Sequence, residues 1–295
     1  MKKHYQALMA VVCALALAGA FALVGCSSGS SSSTSTTKES EPVATESVEL
    51  QVFAANSLEK ALPEVQKLYT EKTGVTFSDT QFKASGNLVS QLQADSTAAD
   101  VLITASTATM DTAVKNSSID ESTRADMFVN DLVLCAAKSS GITVTSTEDL
   151  ATDAIASFAL GEPNIVPAGK YAVQSLEKAG LCTTETASDG TMTVTWADSV
   201  VDKVNAGADK VGTVAKYVSQ GTAQVGFVYS SDIYRYDGIE AIFTLPADSH
   251  KAIKYPGAVC KDTANAEAAA DFLNFCMTDP AAQKVFSEYG FELAS

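Results

Sequence analysis

Gly161-Glu162-Pro163-Asn164-Ile165-Val166-Pro167-Ala168-Gly169-Lys170-Tyr171-Ala172 follows an apolar run, Ile155 to Leu160, and leads into a segment that ends at Gly180. The run reads as a buried strand, Pro167 suits the first position of a helix, and Gly180 lies just past Leu176 and Ala179 as a stop. The first N–H groups of such a helix have no partner within it, and the dipole adds roughly half a positive charge at that end. An oxyanion is a natural occupant. Alone, the stretch equally describes an ordinary strand-to-helix turn, so the rest of the chain has to decide.

The same pattern recurs on both sides. Val48, Leu50 and Val52 alternate with Glu49 and Gln51 as a strand, Phe53-Ala54-Ala55 carries it to a turn at Asn56-Ser57, and Leu58, Leu62, Val65, Leu68 and Tyr69 form one helical stripe. Either Asn56 or Ser57 serves as the cap, and Asn56 with Glu59 has capping-box spacing. Val75 to Phe77 reads as a short strand, Phe82 to Gly86 as a turn, Asn87 to Gln93 as a helix, and Asp100 to Ile103 as a buried strand. Asp209-Lys210-Val211-Gly212 opens a helix that stops at Gly221, and Val225 to Tyr229 is a strand ending in a tyrosine. Strands alternating with helices imply an α/β fold with mostly parallel sheets. In such sheets ligands collect beyond the carboxyl ends of the strands. Ser57, Ser85, Ala168 and Val211 fall at helix starts and Tyr229 at a strand end, a set of donors suited to converge on one small ligand.

The chain has 295 residues and a formal net charge of −15. That length supports one or two domains, and the acidity argues against nucleic acid, which calls for a basic footprint. It does not oppose a small anion, because a local ring of N–H and O–H groups binds one inside an acidic protein. Only 2 histidines occur, His4 and His250, which leaves little for a histidine metal site or histidine acid–base chemistry. Lys2 and Lys3 precede an apolar run from Ala7 to Val24, the layout of an export signal. Its end, Leu23-Val24-Gly25-Cys26, resembles the lipobox of bacterial lipoproteins, which implies cleavage before Cys26 and lipid on that residue. A single N-terminal membrane helix is the alternative. From Ser27 to about Val43 the chain is almost all Ser, Thr, Gly and charge, a flexible tether with nothing to build a core.

Val52-Phe53-Ala54-Ala55-Asn56-Ser57-Leu58, Phe82-Lys83-Ala84-Ser85-Gly86-Asn87-Leu88, Ala99 to Ile103, Pro163 to Ala172 and Gly226-Phe227-Val228-Tyr229-Ser230-Ser231-Asp232 together resemble, in order and spacing, the molybdate-binding proteins of bacterial ABC importers. Pro246 to Lys251, Tyr255-Pro256 and the tail from Asp279-Pro280 to Phe291 extend the resemblance over about Val48 to Phe291. It implies a two-lobed, type II periplasmic-binding-protein-like fold with a ligand cleft between the lobes. Residues 1–25 would be the signal, 26–47 the lipidated cysteine and tether, 48–131 and 256–295 the first lobe, and 132–255 the second. Ser57 and Ser85 would each offer a hydroxyl and a backbone N–H, Ala168 and Val211 backbone N–H groups, and Tyr229 its phenol. Asn56 stands where this family usually has a small residue, and Lys83 lies two positions before Ser85. Between Cys182 and Lys210 the resemblance is weak.

A ring of donors suits the ligand so implied. Molybdate and tungstate are fully deprotonated near neutral pH, so every oxygen accepts, whereas hydrogen phosphate carries a proton that needs an acceptor. A buried acceptor left facing an ionised oxygen costs about 1–3 kcal/mol, so a lining of donors only rejects phosphate. The resemblance further implies no cofactor, no metal ligated directly by protein, a membrane permease with its ATPase as partners, and a monomer tethered outside the cytoplasm.

With Cys13 in the signal and Cys26 lipidated, Cys135, Cys182, Cys260 and Cys276 remain. In the family the two crossover strands run side by side, so Cys135 and Cys260 are expected to be close and open to a disulfide after export. Other cargoes fit parts of the pattern: a sulfate-like oxyanion offers the same four acceptor oxygens, and Tyr229, Tyr234 and Tyr236 suggest ferric iron. A secreted hydrolase fits least, since no Gly-x-Ser-x-Gly elbow appears after the tether and no Cys-x-x-Cys or His-Glu-x-x-His occurs.

Overall fold

The computed structural model describes residues 48–294. The signal, Cys26 and the tether lie outside them. Two sheets organise the described chain. The first has six strands in the order Glu292–Leu293, Ala125–Asn130, Ile253–Val259, Val101–Ile103, Val52–Ala55 and Gln81–Lys83. The second has five, in the order Val204–Ala208, Phe158–Gly161, Val225–Tyr229, Leu132–Ala137 and Ile239–Thr244. The chain passes from the first to the second at Asp131 and returns between Thr244 and Ile253.

The strands that carry helices behind them are parallel, as expected for β–helix–β units. Val52–Ala55 runs parallel to both Gln81–Lys83 and Val101–Ile103, and Phe158–Gly161 parallel to both Val204–Ala208 and Val225–Tyr229. The parallel part is narrower than the sequence suggests. Ala125–Asn130, Leu132–Ala137 and Ile253–Val259 pair antiparallel with their neighbours. These three carry the chain between sheets, so no crossover helix obliges them to run with the rest.

Helices form where an apolar stripe meets a sheet. Pro167–Lys178 buries Ala168, Tyr171, Ala172, Val173 and Leu176, and Val211–Ser219 buries Val214, Ala215 and Val218. Gly180 and Gly221, both at φ +72°, follow their ends in the left-handed region that glycine enters freely. Phe53, Phe128, Phe158, Phe227 and Phe272 are completely buried, each contributing about 1.5–3 kcal/mol relative to exposure.

Two expectations are corrected. Asn56–Leu58 is a separate 3₁₀ turn, and the α-helix that follows is Ala61–Thr73. Ala55, not Asn56 or Ser57, precedes the turn; the Asn56 side chain reaches Glu59 through Nδ2 to Oε2 at 3.1 Å and caps no backbone N–H there, while the Asn56 carbonyl accepts from Glu59 N–H at 3.1 Å. Nor are Cys135 and Cys260 neighbours. Cys135 pairs in register with Gly226 and Ala241 in the five-stranded sheet, whereas Cys260 bridges Ile119 beside the six-stranded one. The crossover strands do run side by side, Ala125–Asn130 with Ile253–Val259 in one sheet and Leu132–Ala137 with Ile239–Thr244 in the other, but the two cysteines sit on opposite sides of the crossing. Cys135, Cys182, Cys260 and Cys276 are all free, buried thiols.

Candidate functional site

Each of the five residues singled out by sequence stands at or just beyond the carboxyl end of a strand with a parallel neighbour. Ser57 lies in the turn after Val52–Ala55, and Ser85 starts the helix Ser85–Ala94 after Gln81–Lys83. Because Ala55 and Lys83 are register partners, the two serines occupy equivalent places two residues beyond paired strand ends. In the other sheet, Gly161 and Ala208 are register partners, and the helices of Ala168 and Val211 follow them. Tyr229 closes the strand between Phe158–Gly161 and Leu132–Ala137.

Contacts between chain neighbours bring the two sets together. Gly86 N–H donates to the Ile165 carbonyl at 3.2 Å, which sets the Ser85 helix against the approach to Ala168. Gly212 N–H donates to Asn56 Oδ1 at 3.2 Å, which sets Val211 against Ser57. Both glycines are second residues of their helices, and both are needed for the approach: a Cβ on Gly86 would meet the Ile165 carbonyl oxygen at 3.0 Å, and one on Gly212 would meet the Tyr236 hydroxyl at 2.1 Å. Tyr255 links the remaining member. Its hydroxyl lies 2.9 Å from Ser57 Oγ, and its ring stands edge-on to that of Tyr229, centroids 5.8 Å apart.

The hydrogen bonds have a common polarity. Ser85 Oγ accepts from Ala105 N–H at 3.0 Å, so its own proton is free to point elsewhere. Asn130 Nδ2 donates to the Tyr255 hydroxyl at 3.5 Å. The bond between Ser57 Oγ and the Tyr255 hydroxyl can run in either direction, and with Tyr255 as its donor the Ser57 proton points outward. The N–H groups of Ser57, Ser85, Ala168 and Val211 meet no acceptor among the described residues, as first-turn N–H groups do. The Tyr229 hydroxyl is fully buried and likewise has no partner among them. Burial pushes the Tyr229 phenol well above its ordinary range, with Tyr255, Tyr171 and Asp232 adding to the rise. Tyr255 rises for the same first reason, and Tyr171, on the Ala168 helix, is raised by burial against the opposing Ser106 hydroxyl. These phenols therefore remain protonated donors.

Asp232, also completely buried, has both oxygens engaged: Oδ2 accepts from Tyr229 N–H at 3.0 Å and Oδ1 from Arg235 Nη1 at 2.9 Å. Burial raises its carboxyl, and Arg235 and that N–H pull the other way. Both oxygens are thus bound to protein donors within its own segment, residues 229–235.

Sequence reading missed the supports: Tyr255 and Asn130 behind Ser57, and Arg235 beside Asn56. The one available signal was Asn56 itself, a polar residue where a small one is usual. Lys83, the last residue of its strand, turns along the helix that follows, its Nζ donating to Gln91 Oε1 at 2.6 Å. The three candidate iron ligands diverge, since Tyr234 is 64% exposed and Tyr236 packs under the Arg235 guanidinium. A cavity of about 550 Å³ lies on the Ile165 and Tyr171 side of the Gly86 contact. It is bordered by Lys170, Lys251 and Lys254 and includes none of the five residues.

Comparison with known proteins gives the arrangement a context. The molybdate-binding protein ModA of Escherichia coli (strain K12) is 32% identical over 249 residues, 83% of this chain and 89% of that one. The putative ABC transporter substrate-binding lipoprotein YvgL of Bacillus subtilis (strain 168) is 32% identical over 292 residues, 99% of each chain. The solved substrate binding domain of a putative molybdenum ABC transporter from Clostridium difficile is similar with a TM-score of 0.63 at 31% identity, covering 84% of this chain and 100% of that one. A family model described as bacterial extracellular solute-binding protein matches residues 50–292, and the chain belongs to that family.

Proposed function

We propose that this chain is the extracytoplasmic binding component of an ABC importer and that its cargo is molybdate or tungstate. The observation that carries the reading is the Tyr229 hydroxyl, completely buried and without a partner among the described residues. An orphaned buried hydroxyl costs about 1–3 kcal/mol, a cost offset when a ligand oxygen accepts from it. Around it the free groups are donors: the hydroxyls of Ser57 and Ser85 and the N–H groups of Ser57, Ser85, Ala168 and Val211. A fully ionised oxyanion satisfies such a set, and hydrogen phosphate does not. The names of the Escherichia coli and Clostridium difficile relatives support the same cargo.

In this reading residues 48–131 with 256–295 form one lobe and 132–255 the other. The ion bridges donors from both and favours their closed arrangement by its differential affinity. A membrane permease with its ATPase receives the closed form, and the cargo is not chemically changed. Lipid on Cys26 tethers a monomer outside the cytoplasm. The match to the Bacillus subtilis lipoprotein, which spans 99% of this chain, supports that anchor.

Calorimetric titration with molybdate, tungstate, sulfate and phosphate at equal ionic strength tests the proposal. Heat from the first two alone is the expected result. Tight sulfate binding would keep the donor ring and change the cargo, tight phosphate binding would contradict the donor-only lining, and silence from all four would overturn the reading.

A further inference from the structure

Arg235 ends the short helix Ser230–Arg235, which follows the strand of Tyr229, yet half of its partners come from the segment after the strand Val52–Ala55 of the six-stranded sheet. Its side chain is 2% exposed. Nη1 donates to Asp232 Oδ1 on its own side, while Nη2 donates to Asn56 Oδ1 at 3.2 Å and to Glu59 Oε2 at 3.1 Å. The Tyr236 hydroxyl accepts from the same nitrogen, and its ring underlies the guanidinium at 4.6 Å.

Asn56 is where these contacts meet the site. Its Oδ1 accepts from Arg235 and from Gly212 N–H, and its Nδ2 donates to Glu59. Asn56 precedes Ser57 in the chain, and Gly212 follows Val211. One buried amide therefore spans two of the proposed donors, one from each sheet. Because Gly212 N–H is taken, Val211 N–H is the first-turn donor of that helix left for an anion.

We infer that Asn56, held by Arg235, is a positioning residue that latches the two sheets across the anion site and sets how fast a bound anion leaves. The inference rests on the proposed function, since it presumes an anion between the sheets. When the sheets part, Asn56 Oδ1 loses both donors, but Arg235 keeps Asp232. No buried charge is stranded, so the contact slows opening without forbidding it. Interactions that form only in the closed arrangement act on the dissociation rate.

The test is stopped-flow binding of molybdate to the full chain, followed by tyrosine fluorescence, together with thermal melting in the absence of the anion. Asn56→Ala should release molybdate about ten-fold faster while association changes less than about two-fold. Its anion-free melting temperature should stay near that of the parent chain. Arg235→Lys keeps a cation beside Asp232 but loses the forked geometry, and it should also speed release. Release at the parental rate in both variants would overturn the latch. So would a lowered anion-free melting temperature with unchanged release, which would make Asn56 a local structural residue only. Failure of the parent chain to bind molybdate would instead strike the proposed function, and the latch with it.

Discussion

Tyr229 and Tyr255 face each other edge-on at the junction of the two sheets, both with essentially no exposure, and differ in one respect. The Tyr255 hydroxyl has Ser57 Oγ at 2.9 Å and Asn130 Nδ2 at 3.5 Å, while the Tyr229 hydroxyl has nothing among the described residues. The rings alone would be indistinguishable as core aromatics. Satisfaction separates them: a hydroxyl with partners belongs to the framework, and one held dry without a partner is poised for something that arrives later.

The largest effect should come from removing what supports Tyr229. Asp232 accepts its backbone N–H and pairs with Arg235 in a completely buried position. Asp232→Asn breaks that pair and should lower unfolding stability by about 3–5 kcal/mol, read from urea denaturation. Tyr229→Phe should behave in the opposite way. Molybdate affinity should fall about ten-fold by calorimetry, with the urea midpoint unchanged or slightly raised, because the lost hydroxyl had no protein partner. A lower midpoint with unchanged affinity would reverse the comparison and make Tyr229 the framework residue.

The same distinction explains what could be read from sequence. Pro167 with Gly180, and Val225 to Tyr229, declare themselves through local backbone chemistry, and the structure has a helix from Pro167 and a strand over Val225–Tyr229. Ser85 at a helix start and Ala168 one residue into another follow from such local signals. The supports do not, because they are made by side chains far apart in the chain: Ser57 and Tyr255 are 198 residues apart, Asn56 and Arg235 179. The 3₁₀ turn at Asn56–Leu58 escaped because an isolated turn and a helix start favour the same small polar residues. Cys135 and Cys260 were misjudged because adjacency of the crossover strands, which holds, does not fix register: Cys135 lies on the five-stranded side of the crossing and Cys260 on the six-stranded side.

The smallest effect tests how Ser57 and Ser85 differ. Ser85 Oγ accepts from the backbone N–H of Ala105, a donor no side-chain substitution removes. Ser57 depends instead on the Tyr255 hydroxyl. Tyr255→Phe should cost about 1 kcal/mol of stability for the lost hydrogen bonds. With Tyr255 as the donor to Ser57 Oγ, it should also weaken molybdate binding about three-fold, since the Ser57 proton is no longer steered outward. Asn130 keeps Ser231 Oγ at 2.8 Å, so its amide is not stranded by the change. The two consequences separate in a double-mutant cycle with Ser57→Ala. If Tyr255 acts on the anion only through Ser57, its effect on affinity should vanish in the Ser57→Ala background while its effect on stability persists. An affinity loss of the same size in both backgrounds would mean that Tyr255 reaches the anion by another route, and the contrast between the two tyrosines would then be one of degree.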